Sequence, residues 1–363
     1  MAKRFRQALA LTTSCLSLCD GFGADHSNSG RSIGAVYLLN LVTMYPLLEL
    51  YACPACAGAL TSDWSCSGCG ARFEMSDGIP NLRLPSDTRS EVVRSFYEHA
   101  PFPAYPPGAS LSWLRARAER SEFARLVDHA ISGDARILDI GCGTGQMSLY
   151  LARARRVIIG ADLARASLQL GAAAARRFQL DQVQFVETDL HRPGLREGAF
   201  DVVYSSGVLH HTPDPRAAFS RIARLVRPGG MIILGLYNTF ARIPFRLRRL
   251  AAWLSGYRWI PFDPVLRDRE NEPARREAWL RDQYRHPEEH RHTLAEVQAW
   301  FAENGFEYIR AYPSAMLSQE SEPDDLFASA PDNWRPEGWL AQIGWIGSLG
   351  HEGGLFVTIG RRV

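Results

Sequence analysis

The sequence predicts an α/β fold, a mostly parallel sheet with helices on both faces, and three observations carry the expectation. Short apolar runs recur along residues 134–236, separated by stretches of helical periodicity. The runs are continuous rather than alternating, as strands buried on both faces must be. The first run passes directly into a turn with a glycine at every second position, Gly141, Gly143 and Gly145, before a helical stretch begins. At 363 residues the chain is long enough for one large domain with small attachments.

The elements follow in order. Leu114 to Ile131 reads as a helix ahead of the sheet. Ile137 to Ile140 is the first strand, and Met147 to Ala154 is the helix after its glycine turn. Val157 to Ala161 is the second strand and ends at Asp162. Val183 to Thr188 is the third, ending at Asp189-Leu190, and Phe200 to Ser205 is the fourth. Arg227-Pro228-Gly229-Gly230 turns into a fifth, Met231 to Leu234. Thr293-Leu294-Ala295-Glu296 is a capping box that starts a helix running to Asn304, which Gly305 ends. Phe306 to Ala311 and Leu355 to Gly360 complete a seven-stranded sheet whose final strand runs antiparallel.

A strand, a tight glycine turn and a helix start together form a nucleotide cradle, because residues without Cβ let a ligand approach the backbone. The spacing from Asp139 is D-x-G-x-G-x-G, unlike the G-x-G-x-x-G of a dinucleotide fold. It resembles the first signature of the class I S-adenosylmethionine (SAM) methyltransferases, and the resemblance extends over about Asp134 to Leu236. It implies a Rossmann-like seven-stranded sheet and SAM as cofactor, held by Asp139, Gly141, Cys142, Gly143 and Gly145. It further implies that Asp162, beside Leu163, accepts hydrogen bonds from the ribose. Asp189 would face the adenine amino group, Leu190 would pack on the ring, and Ser205 would end the fourth strand in the site. Read alone, each acid could instead cap a turn or a helix. Their joint position at the carboxyl ends of successive strands, where open α/β sheets bind ligands, favours the site.

Cys53-Pro54-Ala55-Cys56 and Cys66-Ser67-Gly68-Cys69 form a C-x2-C pair of knuckles. Four thiolates around one Zn²⁺ leave no open coordination position, so the metal expected here is structural. Two disulfides or a redox C-x-x-C are the alternatives, but the redox motif expects a βαβ setting that these residues lack. A module of about forty residues cannot bury a self-sufficient core, which is a physical reason for a metal staple. With its flanks Leu47 to Ala52 and Ala71 to Leu82, the module at 44–86 resembles the zinc-ribbon family that acts as activating partner of RNA and protein methyltransferases. Its place ahead of an enzyme is also similar to bacterial 23S ribosomal RNA guanine methyltransferases. The resemblance implies a contact with RNA, with protein or only with its own domain.

The net charge is only +2, so no global field favours nucleic acid. Lys3 is the sole lysine, an Arg-for-Lys usage that points to biased composition rather than selected guanidinium contacts. No apolar run reaches the roughly 18 residues of a membrane span. Residues 1–43 combine a basic start with a short apolar run, similar to a secretory signal. Their Gly/Ser/Asn-rich middle and the following Met44 predict instead a disordered extension or a misassigned start, with Cys15 and Cys19 incidental. A cytoplasmic location is expected, because SAM is cytosolic and a four-thiolate site is safest in a reducing compartment. Residues 87–133 are a linker and cap helix, and 134–363 the SAM domain with an insert at about 237–292. The sequence sets no oligomeric state.

The chemistry is expected on loops. Arg94 to Pro107 packs four aromatics into a proline-rich stretch, and Tyr97 or Tyr105 is a candidate pocket lid, since ring faces attract a sulfonium cation. After the fourth strand, His210 and His211 are candidate general bases. The same loop lacks the N/D-P-P-Y/F tetrad common in enzymes that methylate exocyclic amines of bases. Tyr284 and His286, in the insert, are candidate substrate contacts. Arg242 to Arg249 reads as a basic amphipathic stretch able to meet a membrane, RNA or an acidic substrate. The function expected is methyl transfer to a small-molecule or lipid-like acceptor, given the similarity of Phe200 to Leu234 to ubiquinone/menaquinone-biosynthesis methyltransferases. An RNA methyltransferase using its ribbon to hold substrate, and a catalytically silent scaffold, are the alternatives.

Overall fold

The computed structural model describes residues 47–85, 88–99, 101–103, 105–106, 108–153, 155–263, 266, 273–286, 288–315, 325–329, 335–349 and 353–363. The extension at 1–43, with Cys15, Cys19 and the following Met44, lies outside the described residues.

The cysteine-bearing module ends in a tight hairpin of β1 (Met75–Ser76) and β2 (Ile79–Pro80). Seven further strands form one sheet: β3 (Arg136–Ile140), β4 (Val157–Asp162), β5 (Val183–Glu187), β6 (Phe200–Ser206), β7 (Val226–Tyr237), β8 (Phe306–Tyr312) and β9 (Leu355–Arg362). Their order is β5-β4-β3-β6-β7-β9-β8. The first five lie parallel, and β9 runs antiparallel to both of its neighbours, as the sequence predicts. Successive side chains point to opposite faces, so Leu138, Val203 and Ile232 join one core while Ile137, Val202 and Ile233 join the other. Burial on both faces is why these strands read as unbroken apolar runs. The chain turns outward on either side of β3, leaving a crevice at the carboxyl ends of β3, β4 and β6.

The helices correct two expectations. Thr88–Glu98, at the start of the segment read as linker, is a helix, α1, and it takes in the first residues of the proline-rich stretch from Arg94; the prolines of that stretch begin only after it. The single helix expected over Leu114 to Ile131 is two, α2 (Leu111–Ala118) and α3 (Glu122–Ala130). Ser121 sits between them, buried, and caps α3 by accepting from the Ala124 N–H at 3.3 Å. Five helices flank the sheet further on: α4 (Gln146–Leu151), α5 (Arg165–Phe178), α6 (Pro215–Ala223), α7 (Ile243–Leu254) and α8 (Pro273–Tyr284). The last two form the insert, locked by a small core of Phe245, Ala252, Leu266, Trp279 and Tyr284. Helix α9 (Leu294–Glu303) carries the expected capping box, and α10 (Arg335–Ser348) precedes the last strand. Among the described residues no helix is long and apolar enough to cross a membrane.

The cysteine module is fastened along the free edge of β5. The Leu82 N–H donates to the Glu187 carbonyl at 2.8 Å, and Asn81 pairs with Glu187 in parallel register. The Tyr51 hydroxyl donates to Gln184 at 3.3 Å, and Arg83 and Arg165 both pair with the Glu187 carboxylate. Ile79 and Leu82 are fully buried, and Leu50, Tyr51 and Trp64 belong to a core shared with the sheet. Its contacts run to its own domain, and they cover an edge that would otherwise be open.

Candidate active site

One cavity of about 300 Å³ opens at the carboxyl ends of the strands. Asp139, Gly141, Cys142, Gly143, Asp162, Leu163, Asp189 and Leu190 form one side of it. The glycine turn is built for close approach. Gly141 and Gly143 both have positive φ, and a Cβ would overlap the Val208 side chain at the first and the Phe102 carbonyl at the second. The Phe102-Pro103 strap lies across this turn, accepting from the Thr144 N–H at 3.3 Å and the Thr144 hydroxyl at 2.6 Å.

The acids are held in place. Asp162 accepts from the Gly143 N–H and the Ala164 N–H, each at 2.8 Å, tying the tip of β4 to the glycine turn. Asp189 accepts from the His191 N–H at 2.9 Å while facing the cavity. Asp139 is buried and accepts from the Ser148 hydroxyl at 2.5 Å. Burial pushes its carboxyl up to about 7, and the nearby Asp162 charge adds to the shift. Burial also raises Asp162, against the two N–H donors. Two spare carboxylate acceptors, a backbone free of Cβ and the apolar Leu163 and Leu190 suit a ribose, a close backbone contact and an adenine ring. The residues present fit SAM.

Two predictions follow from these acids. Asp162→Ala weakens SAM binding by about 1.5–3 kcal/mol, because an ionised acceptor for hydroxyls is lost; titration calorimetry showing unchanged affinity removes Asp162 from the site. The second concerns pH. Below about 7 the free Asp139 is largely protonated, so binding of a sulfonium cation is coupled to loss of that proton. SAM affinity therefore rises with pH toward neutrality and then levels off, while affinity for S-adenosylhomocysteine, which lacks the sulfonium charge, stays flatter. Parallel pH profiles for the two ligands overturn the coupling.

The other side of the cavity comes from α1, the loop after β6 and the insert. His211 lines it and His210 does not. The imidazole of His210 is fully buried, stacked on Tyr237 with ring centroids 3.8 Å apart, and its Nδ1 accepts from the Tyr237 N–H at 3.3 Å. His211 Nδ1 lies 2.7 Å from the Glu288 carbonyl, which only accepts, so Nδ1 carries the hydrogen and Nε2 the lone pair. Burial lowers its pKa to about 4, leaving a neutral imidazole at physiological pH. Of the two candidate bases, only His211 has the placement.

Other expected residues are moved by a small displacement. Tyr97 lines the cavity, but Tyr105 turns aside and donates to the Thr144 carbonyl at 2.8 Å, pinning the strap. Ser205 points into the core and donates to the Ile140 carbonyl at 3.0 Å; its neighbours Ser206 and Gly207 face the cavity. Gly145 lies behind the wall, where a Cβ would overlap the Phe185 ring. Tyr284 is buried with its hydroxyl 2.5 Å from Asp263, and Gln283 and Trp279 line the cavity in its place. The His286 ring packs at a tilt against His211, with centroids 3.7 Å apart, and so bears on the orientation of that ring. Missed entirely were Ser90 and Val93, which with Tyr97 recur at helical spacing on α1. That period was the available signal.

The four cysteine sulfurs lie within 4.8 Å of one another. Cys53 and Cys69 are 3.7 Å apart, and Cys56 and Cys66 3.4 Å. A tetrahedron with metal–sulfur bonds of about 2.3 Å has edges of about 3.8 Å, whereas a disulfide needs about 2.05 Å. The donor set fits a single tetrahedral ion.

Parts of the chain are similar to known proteins. Residues 138–234 match the family model described as a methyltransferase domain. The chain is 26% identical over 291 residues to the uncharacterized protein syc1184_c of Synechococcus sp., covering 72% of this chain and 66% of that one. It is 36% identical over 109 residues to the ubiquinone biosynthesis O-methyltransferase of Aromatoleum aromaticum, covering 28% of this chain and 44% of the relative. Geranyl diphosphate C-methyltransferase of Streptomyces coelicolor A3(2) aligns with a TM-score of 0.44 and 17% identity, over 77% of this chain and 100% of that one. The chain thus spans less than two thirds of the length of these two curated relatives. Its centre, residues 138–234, is the part that matches the methyltransferase-domain model. The seven-strand order with an antiparallel final strand is the class I Rossmann-like fold of that domain.

Proposed function

We propose that the protein transfers a methyl group from SAM to a hydroxyl of a small, largely apolar acceptor. The observation that carries this is the single cavity joining the glycine turn and its acids to His211, Tyr237 and Trp279. SAM, when bound, supplies a methyl carbon already activated by its sulfonium. The protein then has to align the acceptor and remove one proton. Tyr97, Trp279 and Tyr237 offer apolar walls for the acceptor, and the Nε2 lone pair of His211 is the proton acceptor. The similarity to ubiquinone biosynthesis O-methyltransferases supports a hydroxyl.

Zn²⁺ is the ion we assign to Cys53, Cys56, Cys66 and Cys69, where it would be closed to substrate and structural. Two buried arginines weigh against an RNA footprint. Arg242, expected on a basic face, is buried and paired with Glu289 at 2.6 Å; Arg248 is buried too. The packing of the ribbon on β5 likewise supports a contact within its own chain. A reducing cytoplasm suits both the thiolates and SAM. Intact Gly141, Gly143, Asp162 and Asp189 argue against a silent scaffold.

The test is methyl transfer from labelled SAM to a panel of phenolic and alcoholic acceptors, with ribosomal and transfer RNA in parallel. Methylated phenol or alcohol is expected. Labelled RNA, or tight SAM binding with no product from any acceptor, overturns the proposal.

A further inference from the structure

Helix α7 turns an apolar stripe toward solvent. One stripe, Phe245, Arg248 and Ala252, packs inward, with Phe245 against Trp279 and Tyr284 of α8. The outward stripe is Ile243, Leu247, Leu250 and Leu254, at positions i, i+4, i+7 and i+11, with Trp253 beside it. Leu247 is 66% exposed, Trp253 65% and Leu254 71%. The turn after the helix continues the pattern with Trp259 at 60% and Phe262 at 91%. A helix seated on its own domain ordinarily presents charged and polar residues to water on that side. At the other end of α7, Phe240 meets the Trp339 ring of α10 at 5.3 Å, and α10 itself exposes Trp339, Leu340 and Ile343. Contiguous apolar surface of this kind marks an interaction site.

The charge around it has one sign. Phe240 to Phe262 contains no aspartate, glutamate or lysine, and of its five arginines Arg242 and Arg248 are buried while Arg246, Arg249 and Arg258 reach the surface. Arg246 and Arg258 are exposed among the apolar side chains. Beside Leu250 and Trp253, a cleft of about 460 Å³ gathers Arg242, Arg246, Arg249 and Arg291 around the single acid Glu289, which pairs with Arg242 and Arg249. A two-fold contact between copies would set this cationic face against itself. Tryptophan and arginine around an aliphatic stripe suit the water–hydrocarbon boundary, where rings and guanidinium stems bury apolar surface and keep polar ends wet.

We propose that α7 and the turn through Phe262 dock the protein on an anionic lipid bilayer, with the exposed Arg246 and Arg258 meeting phosphate headgroups. Helix α8 lies under this face and supplies Trp279 and Gln283 to the cavity. On the function proposed above, an apolar acceptor would then reach the site from the bilayer.

The test uses the full chain with vesicles of phosphatidylcholine alone or mixed with phosphatidylglycerol, read by flotation and tryptophan emission. Binding to the anionic vesicles, a blue-shifted emission and weakening by salt are expected, with little binding to phosphatidylcholine alone. Leu250→Ser combined with Trp253→Ser lowers vesicle affinity by about tenfold or more, since each side chain loses an apolar partner. SAM affinity, read separately, stays unchanged. No flotation with anionic vesicles, or flotation indifferent to the double substitution, overturns the proposal. So does a dimer in sedimentation that the double substitution dissolves, which identifies a second copy as the occupant. Vesicle binding is read without any acceptor, so it can succeed or fail independently of the methyl-transfer assay.

Discussion

His211→Asn lowers kcat by about 10²- to 10⁴-fold, the range typical of a lost general base, and leaves SAM affinity unchanged. The asparagine amide can still donate toward the Glu288 carbonyl that the Nδ1 hydrogen meets at 2.7 Å. It has no basic lone pair to offer the acceptor. Because burial holds His211 down to about 4, the imidazole is already neutral well below pH 6. At saturating SAM the wild-type kcat profile is therefore flat where an ordinary histidine would titrate. His210→Asn provides the contrast, since it removes a buried ring stacked on Tyr237 and acts on stability rather than on kcat. Equal loss of kcat in the two variants, with SAM binding intact, would count against His211 as the base. The sign of the acid response is also fixed. Both histidines fold as neutral groups with lowered pKa values. The stability they permit is present above about pH 6.5 and is lost as pH falls through the folded values, because the unfolded chain takes up protons first.

Removing the metal is the other large effect. On the zinc assignment proposed above, metal analysis of the purified chain is expected to find one zinc, which Cys53→Ser or Cys66→Ser releases while unfolding the module around Trp64. Structural zinc sites carry about 10–16 kcal/mol of binding free energy that is also folding free energy. The damage spreads, because Leu50, Tyr51 and Leu82 share the core beneath the sheet and Glu187 loses Arg83. A lower melting temperature and weaker SAM binding accompany zinc loss, read by metal analysis, thermal melts and calorimetry. Four oxidised cysteines in protein prepared under reducing conditions, or a melt indifferent to chelation, sinks the assignment.

The sheet was legible in the sequence because strands buried on both faces cannot alternate. The glycine turn was legible because only residues without Cβ fit under Val208 and Phe102. What escaped were register and partnership. Ser205 and Ser206 differ by one strand position, which exchanges core for cavity, and Tyr284 and Gln283 differ by a helical step of about 100°. Apolar periodicity places a face but not the residue at its edge. The choice between His210 and His211 depends on Glu288, some 77 residues away in the chain. The burial of Arg242 depends likewise on Glu289. No local pattern announces such partners.

The fastening of the ribbon along β5 also sets how its presence scales with dilution. A covering subunit on a separate chain would leave as concentration fell, and one enzyme molecule would compete with another for it. Here the cover is carried by the chain it protects, so its local concentration is fixed by covalent linkage to the domain. The β5 edge therefore stays closed at any protein level, and closure is unimolecular, with a stoichiometry of one.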